Sequence, residues 1–112
     1  MRTLRQLTEN EEGCVYILCE TDDENAKFKE QAEAEGFMGL DGHTRPTEFP
    51  NCKHYGLNND MTMGYVFGMA WYHFRRLKER RRLMIDYGKY ARGEEDYILP
   101  AAEAVGKEGG RV

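Results

Sequence analysis

One short apolar run stands out in the mostly polar first half of the chain, between residues 14 and 19. In an extended conformation, successive side chains point to opposite faces. Both faces are apolar here, with Val15, Ile17 and Cys19 on one and Cys14, Tyr16 and Leu18 on the other. This pattern is typical of a strand that is covered on both sides, so we expect a central N-terminal strand.

The two ends of the chain offer little to a core. Residues 1–12 are polar, with Leu4 and Leu7 as their only apolar anchors, which predicts a loosely held arm or a short helix. Residues 100–112 have little to bury, and we expect them to form a frayed tail.

The clearest helical signal follows the first strand. Thr21 is a favourable N-cap, and Glu24, three residues later, completes the pattern of a capping box. Phe28 and Ala32 lie four residues apart on one helical face, and Gly36 supplies a stop. Because this apolar stripe is thin, the helix is expected to cover a sheet.

The segment 61–87 permits two interpretations. Apolar residues recur at helical spacing, which indicates one long helix, but Gly64 and Gly68 would each cost about 1 kcal/mol inside it. Residues 65–74 are mostly strand formers, and residues 75–80 would then turn the chain into a second strand. We favour this hairpin and keep the long helix as the alternative.

Shorter elements complete the predicted fold. Gly and Pro residues divide the segment 37–60, in which 37–40 and 52–55 are candidate short strands. Residues 87–97 predict a short helical turn that ends at Gly93. Together the patterns predict an α+β fold: a single small domain over residues 1–112, with one capped helix packed on an antiparallel sheet of three to five strands and a short C-terminal helical turn.

Composition and charge add constraints. A chain of 112 residues suffices for one domain. It shows neither a bilayer-spanning apolar run nor an apolar signal core, so we expect a cytoplasmic protein with free thiols and no membrane association. Residues 1–60 hold 6 Lys/Arg against 13 Asp/Glu, and residues 61–112 hold 10 against 7. Such asymmetry permits an acidic and a basic face, which could attract oppositely charged partners or support self-association.

No motif in the sequence predicts catalysis or a cofactor. Phosphate-binding loops, dinucleotide fingerprints and nucleophile elbows are missing from it. Cys52 and His54 could share one face of a strand, but a zinc site needs further paired ligands, and a catalytic thiol needs more positive charge than Lys53 supplies. Cys14 and Cys19 are expected to be small core residues. We therefore predict no enzyme activity, no metal and no cofactor.

A cluster of cations and aromatic rings is the strongest candidate for a ligand site. Arg side chains bind phosphates bidentately, and aromatic rings stack on bases. The candidate residues are Trp71, Tyr72, His73, Arg75, Arg76, Lys78, Arg80, Arg81, Arg82 and Tyr87. The ligand would be a nucleotide, RNA or DNA. The same pattern fits a solvated strand edge, where Lys and Arg block aggregation.

A second candidate is the acidic side of the capped helix. Carboxylates on a helix can imitate phosphates and occupy a nucleic-acid channel on another protein. The residues concerned are Asp22, Asp23, Glu24, Glu30, Glu33 and Glu35. Acidic helices are also simply soluble helices, and a net charge of −4 argues against extreme mimicry.

Residues 84–98, MIDYGKYARGEEDYI, contain an Ile-Asp-Tyr, a Lys-Tyr and a Gly-Glu-x-Asp-Tyr in close succession. The positions are Ile85, Asp86, Tyr87, Lys89, Tyr90, Gly93, Glu94, Asp96 and Tyr97. This stretch resembles the C-terminal end of small accessory proteins encoded by phages and prophages of Firmicutes. The resemblance implies an accessory protein of a mobile element, a class that includes inhibitors of host defence such as anti-CRISPR proteins and nucleotide-sequestering sponges.

We therefore expect a non-enzymatic binding protein. In the first hypothesis it inhibits a host defence protein, using the acidic helix or the basic segment. In the second, residues 71–90 bind a phosphate-bearing ligand directly.

Overall fold

The computed structural model describes residues 2–9, 14–66 and 83–99. The α+β class is confirmed for this part of the chain. The helices are α1 (Leu4–Leu7), α2 (Asp22–Glu35) and α3 (Tyr87–Ala91), with a short 3-10 helix at Pro46–Glu48. The strands are β1 (Cys14–Leu18), β2 (Met38–Gly39), β3 (His54–Asn58), β4 (Thr62–Val66), β5 (Leu83–Asp86) and β6 (Ile98–Leu99).

The strands form one sheet in the order β2-β4-β3-β1-β5-β6. The predicted sheet of three to five antiparallel strands is therefore wrong in two respects: six strands occur in the described residues, and the sheet is mixed. β1 is parallel to β5, and β2 is parallel to β4, whereas the other neighbours are antiparallel. Parallel neighbours must be far apart along the chain, so local sequence patterns do not reveal them. The predicted central position of β1 is confirmed.

The described ends of the predicted hairpin do not pair with each other. β4 and β5 are separated in the sheet by β3 and β1, so β5 takes its hydrogen-bonding partners from β1 and β6. The alternative helix does not begin at Met61 either, because that residue has a φ of +69° and Thr62–Val66 is extended. The intervening residues 67–82 lie outside the described part.

The main core lies between one face of the sheet and the helices. α1 contributes Leu4 and Leu7, and α2 contributes Phe28 and Ala32. On the sheet side of this core, the strands contribute Val15, Ile17, Tyr55, Leu57, Met63 and Ile85. The ring of Phe28 lies 4.8 Å from that of Tyr55, centroid to centroid. α2 therefore covers the sheet, as its thin apolar stripe predicted.

A second, smaller cluster lies on the opposite face of the sheet. It consists of Leu18, Met84 and Leu99, with Tyr16 packed against it. Leu18 and Ile17 are both fully buried although they point to opposite faces. The prediction that β1 is covered on both sides is therefore confirmed.

The predicted ends of α2 are also confirmed, with one correction. The Thr21 hydroxyl accepts a hydrogen bond from Glu24 N at 3.0 Å, and Gly36 ends the helix with a φ of +102°. The Glu24 carboxylate, however, accepts from Glu20 N at 2.9 Å, one residue before the N-cap. In a regular capping box the Glu24 carboxylate would accept from the backbone N–H of Thr21 itself. Here it accepts from the preceding residue instead.

The N-terminal segment is a docked helix rather than a loose arm. Leu4 and Leu7 are buried, and the Glu35 carboxylate accepts hydrogen bonds from Leu4 N at 3.1 Å and Arg5 N at 2.9 Å. At the other end, the predicted helical turn is confirmed as α3, which Gly93 follows with a φ of +81°. Residues 10–12 and the predicted tail, 100–112, lie outside the described part.

Candidate functional site

Most of the predicted phosphate-binding cluster falls outside the described residues. This applies to Trp71, Tyr72, His73, Arg75, Arg76, Lys78, Arg80, Arg81 and Arg82. The predicted role of these residues in binding a nucleotide or nucleic acid therefore stays a prediction from the sequence.

Tyr87, the described member of that cluster, lies in the main core. It is 3% exposed, and its ring packs edge-on against Phe28 at 5.5 Å. Its hydroxyl donates to the Gln31 side-chain oxygen at 2.7 Å, and burial raises its pKa. We correct the prediction for this residue, because its ring has no face open to stack on a base.

Two of the six predicted acidic residues contact other helices. Glu24 accepts from Glu20 N and lies against α3, where a Cβ added at Gly88 would come within 2.4 Å of Glu24 Oε2. Glu35 holds the N-terminus of α1 and also accepts from the Gln31 amide at 2.8 Å. Neither carboxylate is a free element of an acidic surface.

The other four carboxylates share the outward side of α2. At 100° per residue, Asp22, Asp23, Glu30 and Glu33 fall within an arc of about 100°. The first three are exposed and Glu33 is half-buried. We call these four residues the acidic face.

Contacts at the edges of the acidic face hold it in place. Glu33 accepts from Thr47 Oγ1 at 2.6 Å and Thr47 N at 3.2 Å, and these hydrogen bonds lower its pKa. Asp23 forms an exposed ion pair with Lys27 at 3.3 Å. The neighbouring Lys29 points its ammonium group to the Phe49 carbonyl at 2.8 Å. Four carboxylates against the two cations Lys27 and Lys29 leave the face with a net negative charge.

The cysteines with described side chains are core residues. Cys19 is 2% exposed and Cys52 is 7% exposed, both as free thiols, and burial raises the pKa of Cys19. Cys52 Sγ donates to the carbonyl oxygen of His54 at 3.0 Å. Within residues 2–9, 14–66 and 83–99, no group of three His, Cys, Asp or Glu side chains is placed to hold a metal. The core position predicted for Cys19 is confirmed.

Sequence reasoning missed an open groove beside strands β2 and β4. It has a volume of about 440 Å³, and its lining includes Leu40, Asp41, Glu48, Phe49, Met63 and Gly64. Leu40 is 71% exposed, more than any other large hydrophobic side chain in the described residues. The Asp41-Gly42 turn signal was visible in the sequence, but the distant strand β4 that completes the groove was not.

The described residues thus define an α+β domain with a mixed sheet, an acidic helical face and an apolar groove. No protein-family model, curated protein or solved structure matches the chain. Among the residues described, no helix has both the length and the apolar character needed to cross a membrane.

Proposed function

We propose that this chain is a non-enzymatic binding protein that inhibits a host defence protein in the bacterial cytoplasm, as anti-CRISPR proteins do. The observation that carries the proposal is the acidic face: four carboxylates on the outward side of a 14-residue helix. The resemblance of residues 84–98 to phage and prophage accessory proteins supplies the setting.

The acidic face suits a basic surface on a partner. The helix is fixed at both ends, by the Thr21 cap and by the Glu35 contacts to α1, so its carboxylates are held at set positions. Fixed charges lose little freedom on binding, and complementary charge steers association. The partner's basic surface would be one that otherwise holds nucleic-acid phosphates, which describes the guide- and DNA-binding channels of CRISPR effectors.

Neutralising the acidic face tests this function. The variant Asp23→Asn/Glu30→Gln removes two exposed charges; the ion pair of Asp23 with Lys27 that it breaks is exposed and contributes little to stability. DNA cleavage by a panel of purified CRISPR effector nucleases is measured with and without the protein. We expect wild type to inhibit at least one nuclease and the variant to inhibit it at least about tenfold less, as lost charge pairs at an interface predict.

A control with the same change in charge makes the result specific. Glu9→Gln/Glu95→Gln also removes two exposed carboxylates, and neither belongs to the acidic face. The control should inhibit like wild type. Equal loss in both variants would mean that net charge alone acts, and a panel with no inhibited nuclease would overturn the proposal.

A thermal-shift screen separates the proposal from direct ligand binding by residues 71–90. The purified protein is melted at low salt with mono-, di- and cyclic nucleotides and with short RNA and DNA. The partner in this proposal is a protein, so we expect no shift with any of these ligands. A ligand present at about 100 times its Kd stabilises the folded state by about 2.7 kcal/mol. A rise of that size with one ligand would replace the inhibitor hypothesis with that of a phosphate-ligand binder.

A further inference from the structure

The groove beside Leu40 has an apolar floor. Phe49, Pro50 and Met63 line it, and Gly64 contributes no side chain. A Cβ at Gly64 would touch Leu40 Cδ1 at 3.4 Å, so this glycine keeps part of the floor open. The space suits one apolar side chain of a partner, which would also cover Leu40.

The loop that carries Leu40 is held by its own hydrogen bonds. Asp41 Oδ1 accepts from His43 N and from Thr44 N, both at 2.9 Å. Gly39 N donates to the Thr44 carbonyl at 2.8 Å, and Gly42 takes the positive φ of +83° that the turn requires. Leu40 is therefore exposed on a fixed turn, and a partner that covers it need not order the loop first.

Two carboxylates mark the rim of the groove. Asp41 is fixed by the turn, and Glu48 accepts from Arg45 N at 2.9 Å. Arg45 pairs with Glu48 Oε2 at 3.5 Å, and His43 Nε2 lies 3.6 Å from Asp41 Oδ2. Two carboxylates against one permanent cation leave the rim negative, so it favours a positively charged partner group.

We propose that this groove docks an extended segment of a partner protein that carries one apolar side chain flanked by Lys or Arg. The apolar side chain lies on the floor with Leu40, and the cation lies beside Asp41 and Glu48. The proposal does not depend on the acidic face and its target.

The groove is a poor match for two other occupants. In a second copy of this chain, the exposed Leu40 is followed directly by Asp41, which would place a carboxylate against the acidic rim. A small polar ligand would need convergent polar groups. The floor of this groove offers the apolar side chains of Phe49, Pro50 and Met63 instead.

Methyl NMR with two dipeptides tests the proposal. N-acetyl-leucyl-arginine amide and N-acetyl-leucyl-glutamate amide are titrated to millimolar concentration into protein labelled at Leu and Met methyl groups. We expect saturable shifts at Leu40 and Met63, with the arginine peptide binding about three times more tightly, as an exposed charge pair predicts. High salt should reduce that difference.

Matched variants locate the effect. Glu48→Gln keeps the side-chain acceptor for Arg45 N and should reduce the preference for arginine, whereas the distant Glu95→Gln should not. Gly64→Ala should weaken both peptides by filling the floor, and unchanged melting temperatures would show that the variants fold.

Three results would overturn the proposal. The first is the absence of saturable shifts at Leu40 and Met63 with either peptide. The second is equal affinity for both peptides, because the rim would then play no part. The third is a concentration dependence of the Leu40 shift without peptide that Leu40→Asn removes, which would assign the groove to a second copy.

Discussion

The side-chain amide of Asn25 joins the start of α2 to the segment that leads into β3. Asn25 is 4% exposed, and its nitrogen donates to the Thr21 carbonyl at 3.2 Å. Its oxygen accepts from Cys52 N at 3.1 Å and from the Tyr55 hydroxyl. Buried polar groups need such partners, because leaving one without a hydrogen bond costs far more than the bond itself contributes. This residue therefore specifies how the helix is placed on the sheet.

Replacing Asn25 with Leu should destabilise the protein by about 2–3 kcal/mol, because it removes the acceptor of buried donors. Tyr55→Phe removes only one of the donors and should cost about 1 kcal/mol. Urea unfolding measures both. Wild-type stability in Asn25→Leu would mean that the amide does not position the helix.

Gly88 of α3 lies directly against the Glu24 carboxylate of α2. Ala is a better helix former than Gly by about 0.5–1 kcal/mol, but a Cβ at Gly88 would meet Glu24 Oε2 at 2.4 Å. Gly88→Ala should therefore stabilise a Glu24→Ala background and give no gain in wild type. The coupling in a double-mutant cycle, followed by thermal unfolding, should be about 1 kcal/mol. Additive effects would contradict the close contact.

At the scale of elements, α2 links three parts of the molecule. Glu35 holds α1, Glu33 holds the 3-10 helix through Thr47, and Phe28 contacts Tyr55 of the sheet. Carboxylates of the helix thus act as tethers as well as charges. Protonation of such a tether should loosen the attached element.

Thr47→Val should show this tether through its dependence on pH. The folded pKa of Glu33 is lowered by Thr47, so the stabilisation is present above the unfolded pKa of about 4.3 and is lost as the pH falls through the folded value. The melting temperature of wild type should exceed that of the variant at neutral pH, and the difference should shrink in acid. A difference that persists unchanged at low pH would contradict the role of the carboxylate.

Local signals in the sequence predicted the elements that depend on neighbouring residues. The two-faced pattern of β1, the Thr21 cap and the stop at Gly93 are of this kind. β2 and β6 have two residues each, too few for any periodicity, and the parallel partner of β1 lies far along the chain. These pairings follow from tertiary packing, which local patterns do not encode.

The candidate site likewise combines features that local sequence reveals with features that depend on tertiary packing. All six carboxylates of α2 were visible in the sequence, but Glu24 and Glu35 turn inward because Gly88 and Leu4 lie against them in the fold. The burial of Tyr87 likewise depends on Phe28, from a distant helix. Sequence therefore identified the charges but not which of them face solvent.

At the scale of the whole molecule, the sheet joins both ends of the described chain. β1 lies between β3 and β5, and Met84 of β5 packs with Leu18 of β1. β5 and β6 both follow residue 82. The segment before residue 83 therefore contains β1 and its neighbour β3 but not its other neighbour, β5.

Two truncations test this dependence. A chain that stops at residue 82 should lose its cooperative thermal transition, because β1 then lacks β5 and the buried side chains of β5 are gone. A chain that stops at Leu99 should melt close to the full chain, in line with the predicted tail. Circular dichroism follows both. A cooperative transition in the shorter chain would mean that β5 is dispensable.

The parallel pairing of β1 with β5 also bears on how the protein is made. β1 begins at residue 14 and β5 at residue 83. At about 5–20 residues per second, translation delivers β5 several seconds after β1. During that interval the face of β1 that carries Leu18 and one of its hydrogen-bonding edges lack their final neighbours. Exposed apolar surface and unpaired strand edges make such intermediates prone to aggregation, so the yield of folded protein should depend on translation speed across the intervening codons.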